Sequence, residues 1–162
     1  MDQPELDKLT WVNSSKTQAK RIQLPDRDRV DWDSLDYWGW RDPKAPQRGY
    51  LIVPADDGWI GIALTTTSGG GKKPRAGMCS LCLTPHPMSS IGLFAAPRAG
   101  AAGRNGNTVG RYICADLQCS LYIRGILKPE GMSALKETLS PQEKAARLEL
   151  NLHDFVHQVI DG

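Results

Sequence analysis

The residues with the most chemistry to offer are four cysteines, the whole cysteine complement of a 162-residue chain. Cys79 and Cys82 stand in MCSLC, and Cys114 and Cys119 in GRYICADLQCSLYIRG, so they form two close pairs with residues 83–113 between them. Zinc takes four soft or borderline ligands at tetrahedral corners, and a Cys-x-x-Cys turn lets two thiolates reach one ion while backbone amides point at the sulfurs. The second pair, with four residues between its cysteines, suits one ligand at a strand end and the other in the first turn of the next helix. There free amides and the positive dipole end favour a thiolate. The expectation is one structural zinc ion held by Cys79, Cys82, Cys114 and Cys119, coordinatively closed and catalysing nothing. A redox dithiol in MCSLC and an iron–sulfur cluster are the competing chemistries, and the first leaves the second pair unexplained.

Other candidate groups are weaker. His86 lies close to the knuckle and could replace a ligand, although four cysteines suffice. Glu149, His153 and His157 fall one turn apart, but three ligands in line along one helix edge close poorly around an ion, so they read as a solvated edge. GGGKKP lacks the GxxxxGK[ST] spacing, and Pro74 interrupts the helix that a phosphate loop needs. No nucleophile, base and orienting group occur as a set, so no enzyme is expected.

Composition sets the context. With 40% apolar residues the chain can bury one ordinary core without a disulfide scaffold. DQPELDKLT after Met1 has neither the basic start nor the apolar run of a secretory signal, and no stretch approaches the roughly 18 apolar residues of a membrane span. The expected compartment is the cytoplasm, where thiols stay reduced and paired cysteines serve as ligands or redox groups. Residues 1–70 carry nine Lys and Arg against eleven Asp and Glu, whereas residues 71–128 carry eight basic residues against one acid, Asp116. Four thiolates on one zinc add about −2, leaving that middle segment at about +5, a sign that suits an acidic protein face or a nucleic-acid backbone.

Stepping outward from the cysteines, SSIGLFAAP and TVGRYIC read as a hairpin between the two pairs, joined by a glycine-rich loop, RAGAAGRNGN. SLYIRGIL reads as a helix ending near Gly125 or at Pro129. YLIVP and WIGIALTTT flank an Asp-Gly turn and predict another hairpin, and SGGGKKPRAG reads as a flexible basic loop. Upstream, Trp32, Tyr37, Trp38 and Trp40 with Leu35 form an aromatic mini-core rather than a stacking platform for bases, since Asp31, Asp33, Asp36 and Asp42 surround them. TWVNSSKTQAKRIQLP offers a short helix capped by Asn13 or Ser14 and stopped at Pro25. SPQE gives the tail helix Ser140 as cap, Pro141 at the first position and Glu143 to complete a capping box. Ala145, Leu148, Leu152, Phe155, Val156 and Val159 then make one apolar face, to be buried on the parent domain or in a homo-oligomer.

Knuckle, hairpin, strand-end cysteine and helix-start cysteine follow the order of a treble-clef finger. The fold class is α+β: a small mixed domain with β-hairpins and a four-cysteine treble clef, plus a C-terminal amphipathic helix. The expected division is 1–136, with an aromatic and strand lobe to residue 70 and the finger over 71–136, then a helical extension over 137–162.

CSLC, its spacer and GRYICADLQCS, with LDYWGWRDPKAPQRGYLIVP upstream, resemble the elongation factor G-binding proteins, the family that includes fusidic-acid-resistance proteins. The resemblance covers about residues 5–136 and leaves the tail helix beyond its end. It implies a non-enzymatic protein that binds elongation factor G on or near the ribosome through its zinc-containing domain and promotes its release. Cys79, Cys82, Cys114 and Cys119 match the zinc ligands. Contact residues are expected near the hairpin loop and finger helix, at Arg104, Asn105, Arg111, Tyr122 and Arg124. Resistance proteins of that family carry a helical bundle ahead of this domain, and the short stretch before the aromatic lobe is not expected to form one. Direct binding to ribosomal RNA is the alternative function.

Overall fold

A computed structural model of the chain describes residues 1–66, 76–130 and 137–161. The loop and phosphate-cradle readings of SGGGKKPRAG fall mostly outside the described residues, and Ala76 opens a strand. In chain order the regular elements are β1 (Leu9–Trp11), α1 (Lys16–Ala19), β2 (Trp38–Arg41), β3 (Arg48–Ala55), β4 (Gly58–Thr66), β5 (Ala76–Met78), β6 (Pro85–Pro87), β7 (Ile91–Pro97), α2 (Gly100–Arg104), β8 (Thr108–Cys114), α3 (Cys119–Ile123) and α4 (Pro141–Ile160).

Both predicted hairpins form. β3 and β4 pair antiparallel from Arg48–Thr65 to Ala55–Gly58 around the Asp56–Asp57 turn, and β7 pairs with β8 from Ile91–Cys114 to Pro97–Thr108. Alternating apolar residues on β-rich runs supply the strands, and the turn residues set the register. β4 meets β7 at Thr65 and Thr66, so one sheet runs in the order β2-β3-β4-β7-β8, with β1 parallel to the start of β4. RAGAAGRNGN is not loop throughout, since it winds one turn of helix as α2.

The capping residue of α1 differs from both candidates. Ser15 holds the capping box with Gln18, while Asn13 is drawn into the sheet. Asn13 Nδ2 donates to Ala63 O and Pro97 O, and its Oδ1 accepts from Ala63 N at 2.8 Å. A primary amide offers donors and an acceptor, so Asn13 satisfies β4 edge groups beyond the short reach of β1.

Successive residues of β3 face opposite sides of the sheet, and both sides are covered. Tyr50 and Ile52 join Leu35, Trp38 and Trp40 in an aromatic cluster, with Trp11, Trp32 and Trp59 packed around it, but Tyr37 departs from the predicted mini-core and packs in the larger core with the cysteines, where its hydroxyl reaches Leu117 O. Leu51 and Val53 join a larger core that includes Ile62, Leu64, Phe94, Ile113 and all four cysteines.

α4 starts with the predicted Ser140–Glu143 capping box. Its apolar face does not remain free for a homo-oligomer: Leu148, Leu152, Phe155, Val156 and Val159 are buried in the larger core. Complete burial of a side chain such as Leu148 or Phe155 contributes about 1.5–3 kcal/mol, which no dimer needs to supply. Arg98 Nη1 reaches Gln158 O at 2.8 Å and Asn151 Nδ2 reaches Leu81 O at 2.8 Å, fixing the helix to the finger at both ends of this contact.

Candidate metal centre

The first cysteine pair sits in the turn between β5 and β6. Cys79 N donates to Thr84 O and Leu83 N to Cys79 O, and Leu83 takes a φ of 56°, closing the chain into a tight knuckle. Cys82 N points at Cys79 Sγ at 3.5 Å, the amide-to-sulfur contact expected of a Cys-x-x-Cys turn. Ser80 N and Oγ both donate to Tyr112 O, tying the knuckle to β8.

The second pair follows the predicted placement: Cys114 is the last residue of β8 and Cys119 the first of α3. α3 is a single turn, so the macrodipole expected there is small. It ends at Gly125, whose φ of 69° suits glycine, with Gly125 N donating to Tyr122 O and Ile126 N to Leu121 O. These two bonds form a Schellman stop.

The four sulfurs converge. Cys79 Sγ lies 3.6 Å from Cys119 Sγ, Cys82 Sγ 3.6 Å from Cys114 Sγ, and all four lie within 4.8 Å of one another. A disulfide would require about 2.05 Å, and the thiols are free. Zinc–sulfur bonds of about 2.3 Å at tetrahedral corners separate the sulfurs by about 3.8 Å, so the donor set fits one zinc ion. All four cysteines are buried. Hydrogen bonds from Cys114 and Cys119 drive the Cys82 thiol far below its ordinary value, whereas burial pushes Cys119 well above it. A dication at the centre makes four thiolates tolerable together, since a coordinated thiol is deprotonated outright.

The segment before and within β2 grips the turn between Cys114 and Cys119, and the helix that follows it, at five points. Asp36 N donates to Ser120 Oγ at 3.0 Å, Tyr37 Oη to Leu117 O at 2.9 Å, Gln118 Nε2 to Gly39 O at 2.9 Å and Arg41 Nη1 to Ala115 O at 2.8 Å. Arg124 completes the set with two bonds to the Asp36 carboxylate. Leu117 has a φ of 62°, a strained value for a residue with a β-carbon, and the Tyr37 and Gln118 contacts hold that turn in place. Gly39 must be glycine here, because a Cβ would come within 2.7 Å of Leu117 O. Nothing in the Trp-rich segment signals this duty, because its partners are many residues away in sequence.

The five expected contact residues separate into two groups. Arg104 and Asn105 are exposed at the end of α2, and neither side chain bonds another among the described residues. The other three are engaged within the chain. Arg111 Nη2 donates to Asp154 Oδ2 and Gln158 Oε1 at 2.9 Å, and Tyr122 Oη donates to Asp116 Oδ2 at 2.8 Å. Arg124 pairs with Asp36. Burial, then the Asp116 carboxylate, raises the Tyr122 phenol above its ordinary value. His153 and Glu149 lie exposed on α4, and His157 pairs with Asp161 at 3.1 Å, as suits a solvated edge. On the finger hairpin, Leu93 and Tyr112 form an exposed cross-strand pair.

A knuckle on a small hairpin, a longer β-hairpin, a strand-end ligand and a helix-start ligand around one tetrathiolate centre define a treble-clef zinc-finger protein. The chain belongs to the family described as FBP C-terminal treble-clef zinc-finger, whose model matches residues 8–159. The match runs through α4, beyond the end expected near residue 136. Comparison with curated proteins gives no match. Among solved structures the chain is similar to one titled "Structure of the fusidic acid resistance protein FusC", at 20% identity and a TM-score of 0.49, over 90% of this chain and 57% of that one. The chain thus spans a little over half the length of that structure. Among the described residues no helix is long and apolar enough to cross a membrane.

Proposed function

We propose that this chain is a non-enzymatic, zinc-stabilised binding module for translation elongation factor G, acting in the cytoplasm at or near the ribosome and promoting release of the factor. Membership of the zinc-finger family supports this reading, together with the motif resemblance carried by CSLC and GRYICADLQCS. The single observation that carries it furthest is the display of Leu93 and Tyr112 on a hairpin whose base is closed by the metal site. Tyr112 is 53% exposed and Leu93 39% exposed, as cross-strand partners. Between them along the chain stand Arg104 and Asn105, also exposed, and no acidic residue occurs from Ile91 to Ala115. Aromatic, aliphatic and arginine side chains together match the composition of protein-binding hot spots.

RNA binding is less well supported. Trp38, Trp40, Tyr37 and Tyr50 are buried, which removes them as stacking surfaces. In the proposed mechanism, zinc fixes the angle between β8 and α3, while Arg111, Tyr122 and Arg124 hold the frame through their own intramolecular bonds. The hairpin then docks as a rigid face, and release follows if the bound factor conformation differs from the stalled one in affinity.

Calorimetric titration of the zinc-loaded chain with elongation factor G tests the proposal. Micromolar or tighter binding is expected, along with co-sedimentation with ribosomes only when the factor is present. No heat and no co-sedimentation at micromolar concentration overturns it. Binding to ribosomal RNA alone, with affinity collapsing steeply as salt rises, favours the RNA reading instead.

A further inference from the structure

The zinc site has a neighbour that four-cysteine ligation leaves unused. His86, in the middle of β6, is 0% exposed, and its Nε2 lies 3.3 Å from Cys114 Sγ. Its ring stands edge-to-face against Tyr122 with centroids 4.5 Å apart, and Tyr122 is held in turn by Asp116. Nδ1 is buried and has no hydrogen-bond partner among the described residues.

These facts select a tautomer. A neutral imidazole carries one N–H and one lone pair. With the proton on Nδ1, a buried donor would be orphaned and the Nε2 lone pair would face a negatively charged sulfur. With the proton on Nε2, that N–H donates to Cys114, and only an acceptor lone pair goes unmet, which is the more tolerated defect. Among the described residues no other N–H reaches Cys114 Sγ, whereas Cys79 Sγ receives the amide of Cys82. A buried tetrathiolate centre carries net negative charge, so a donor at each sulfur lowers the cost of keeping it ionised.

We propose that His86 is an outer-sphere positioning residue, fixed as the Nε2–H tautomer, that donates a hydrogen bond to the Cys114 thiolate. It withdraws charge from that sulfur, so the site keeps its zinc longer and Cys114 reacts more slowly with electrophiles. His86 does not replace a cysteine as ligand.

Three variants separate the hydrogen bond from packing. His86→Phe fills the space without a donor, His86→Gln places an amide N–H near the Nε2 position, and His86→Asn places one nearer Nδ1. Zinc transfer to a chelator should be about 10–100-fold faster in His86→Phe, in line with the loss of an outer-shell partner, and largely restored in His86→Gln but not in His86→Asn. In cobalt-loaded protein the four-sulfur spectrum should persist in all variants. The sulfur-to-cobalt charge-transfer band should shift to lower energy in His86→Phe, since the unbonded thiolate is the better electron donor. Equal release rates and identical bands in wild type and His86→Phe overturn the proposal, as does a three-sulfur, one-nitrogen spectrum in the wild type. Should the variants fail to fold, nitrogen-15 ring shifts of the zinc-loaded wild type decide the matter: protonation at Nε2 upholds the assignment and protonation at Nδ1 removes it.

Discussion

The guanidinium of Arg124 grips the carboxylate of Asp36 with two hydrogen bonds, of 2.6 and 2.8 Å, between residues 88 positions apart. One end is in the cap of the finger helix and the other immediately precedes the aromatic strand β2, so the pair fastens the second half of the metal site to the sheet. Both side chains are mostly shielded, at 24% and 18% exposure.

Arg124→Glu should therefore act on stability before it acts on binding. Losing a partly shielded, bidentate pair costs about 1–2 kcal/mol, and reversing the charge adds repulsion with Asp36. Denaturant midpoints of Arg124→Ala, Asp36→Ala and the double variant should show coupling between the two positions. Strict additivity would mean that the pair contributes nothing.

Arg104→Glu should behave in the opposite way. The side chain is exposed and makes no bond among the described residues, so the unfolding midpoint and zinc content should stay at wild-type values. Affinity for elongation factor G should fall about tenfold, mostly through slower association, as for a charge at an interface rim. An unchanged association rate would place the docking face elsewhere.

Cys114→Ser should abolish zinc binding and loosen more than the finger. All four sulfurs belong to the larger core, which also contains Leu51, Phe94 and Phe155. Since metal binding is coupled to folding, chelation of the wild type should likewise lower the thermal midpoint and expose the thiols to alkylation. A midpoint indifferent to chelator would show that the sulfurs pack without needing the ion.

Phe155→Ala should cost about 3–5 kcal/mol, because the ring is completely buried against the finger and sheet. Deleting residues 138–162 should leave an aggregating or unfolded chain. A well-folded truncated monomer, with cooperative unfolding and zinc retained, would show that α4 is a dispensable appendage.

Tyr37→Phe tests the grip on the strained turn. The hydroxyl is buried and donates to Leu117 O, so its removal strands that carbonyl at a cost of about 1–3 kcal/mol. Zinc transfer to a chelator should accelerate as the turn loosens. Wild-type stability and release kinetics would show that the Gln118 and Ser120 contacts suffice.

Much of the local structure was legible in the sequence. The two hairpins, the Ser140–Glu143 capping box, the strand-end position of Cys114 and the helix-start position of Cys119 all follow from patterns within a few residues. A two-residue period, a cap three residues from its partner and a short cysteine spacing each encode geometry that the backbone can reach locally. Failures occurred where a distant group competed for the same atoms. Asn13 had the chemistry of a helix cap, but the unpaired edge of β4 claimed its amide. The apolar face of α4 was evident from its period, yet period alone cannot say what covers it.

The sequence by itself determined the ligand set, the identity of the metal chemistry and the order of elements that brings four thiolates to one point. Tertiary structure decided which polar side chains are spent inside the molecule and which stay exposed without a bond among the described residues. Arg104, Arg111 and Arg124 look alike along the chain, but Arg111 meets Asp154 and Gln158, Arg124 meets Asp36, and Arg104 meets neither acid nor amide among the described residues. A guanidinium pairs with whatever acceptor the fold carries to it. That acceptor can lie 43 or 88 residues away, where no local pattern records it.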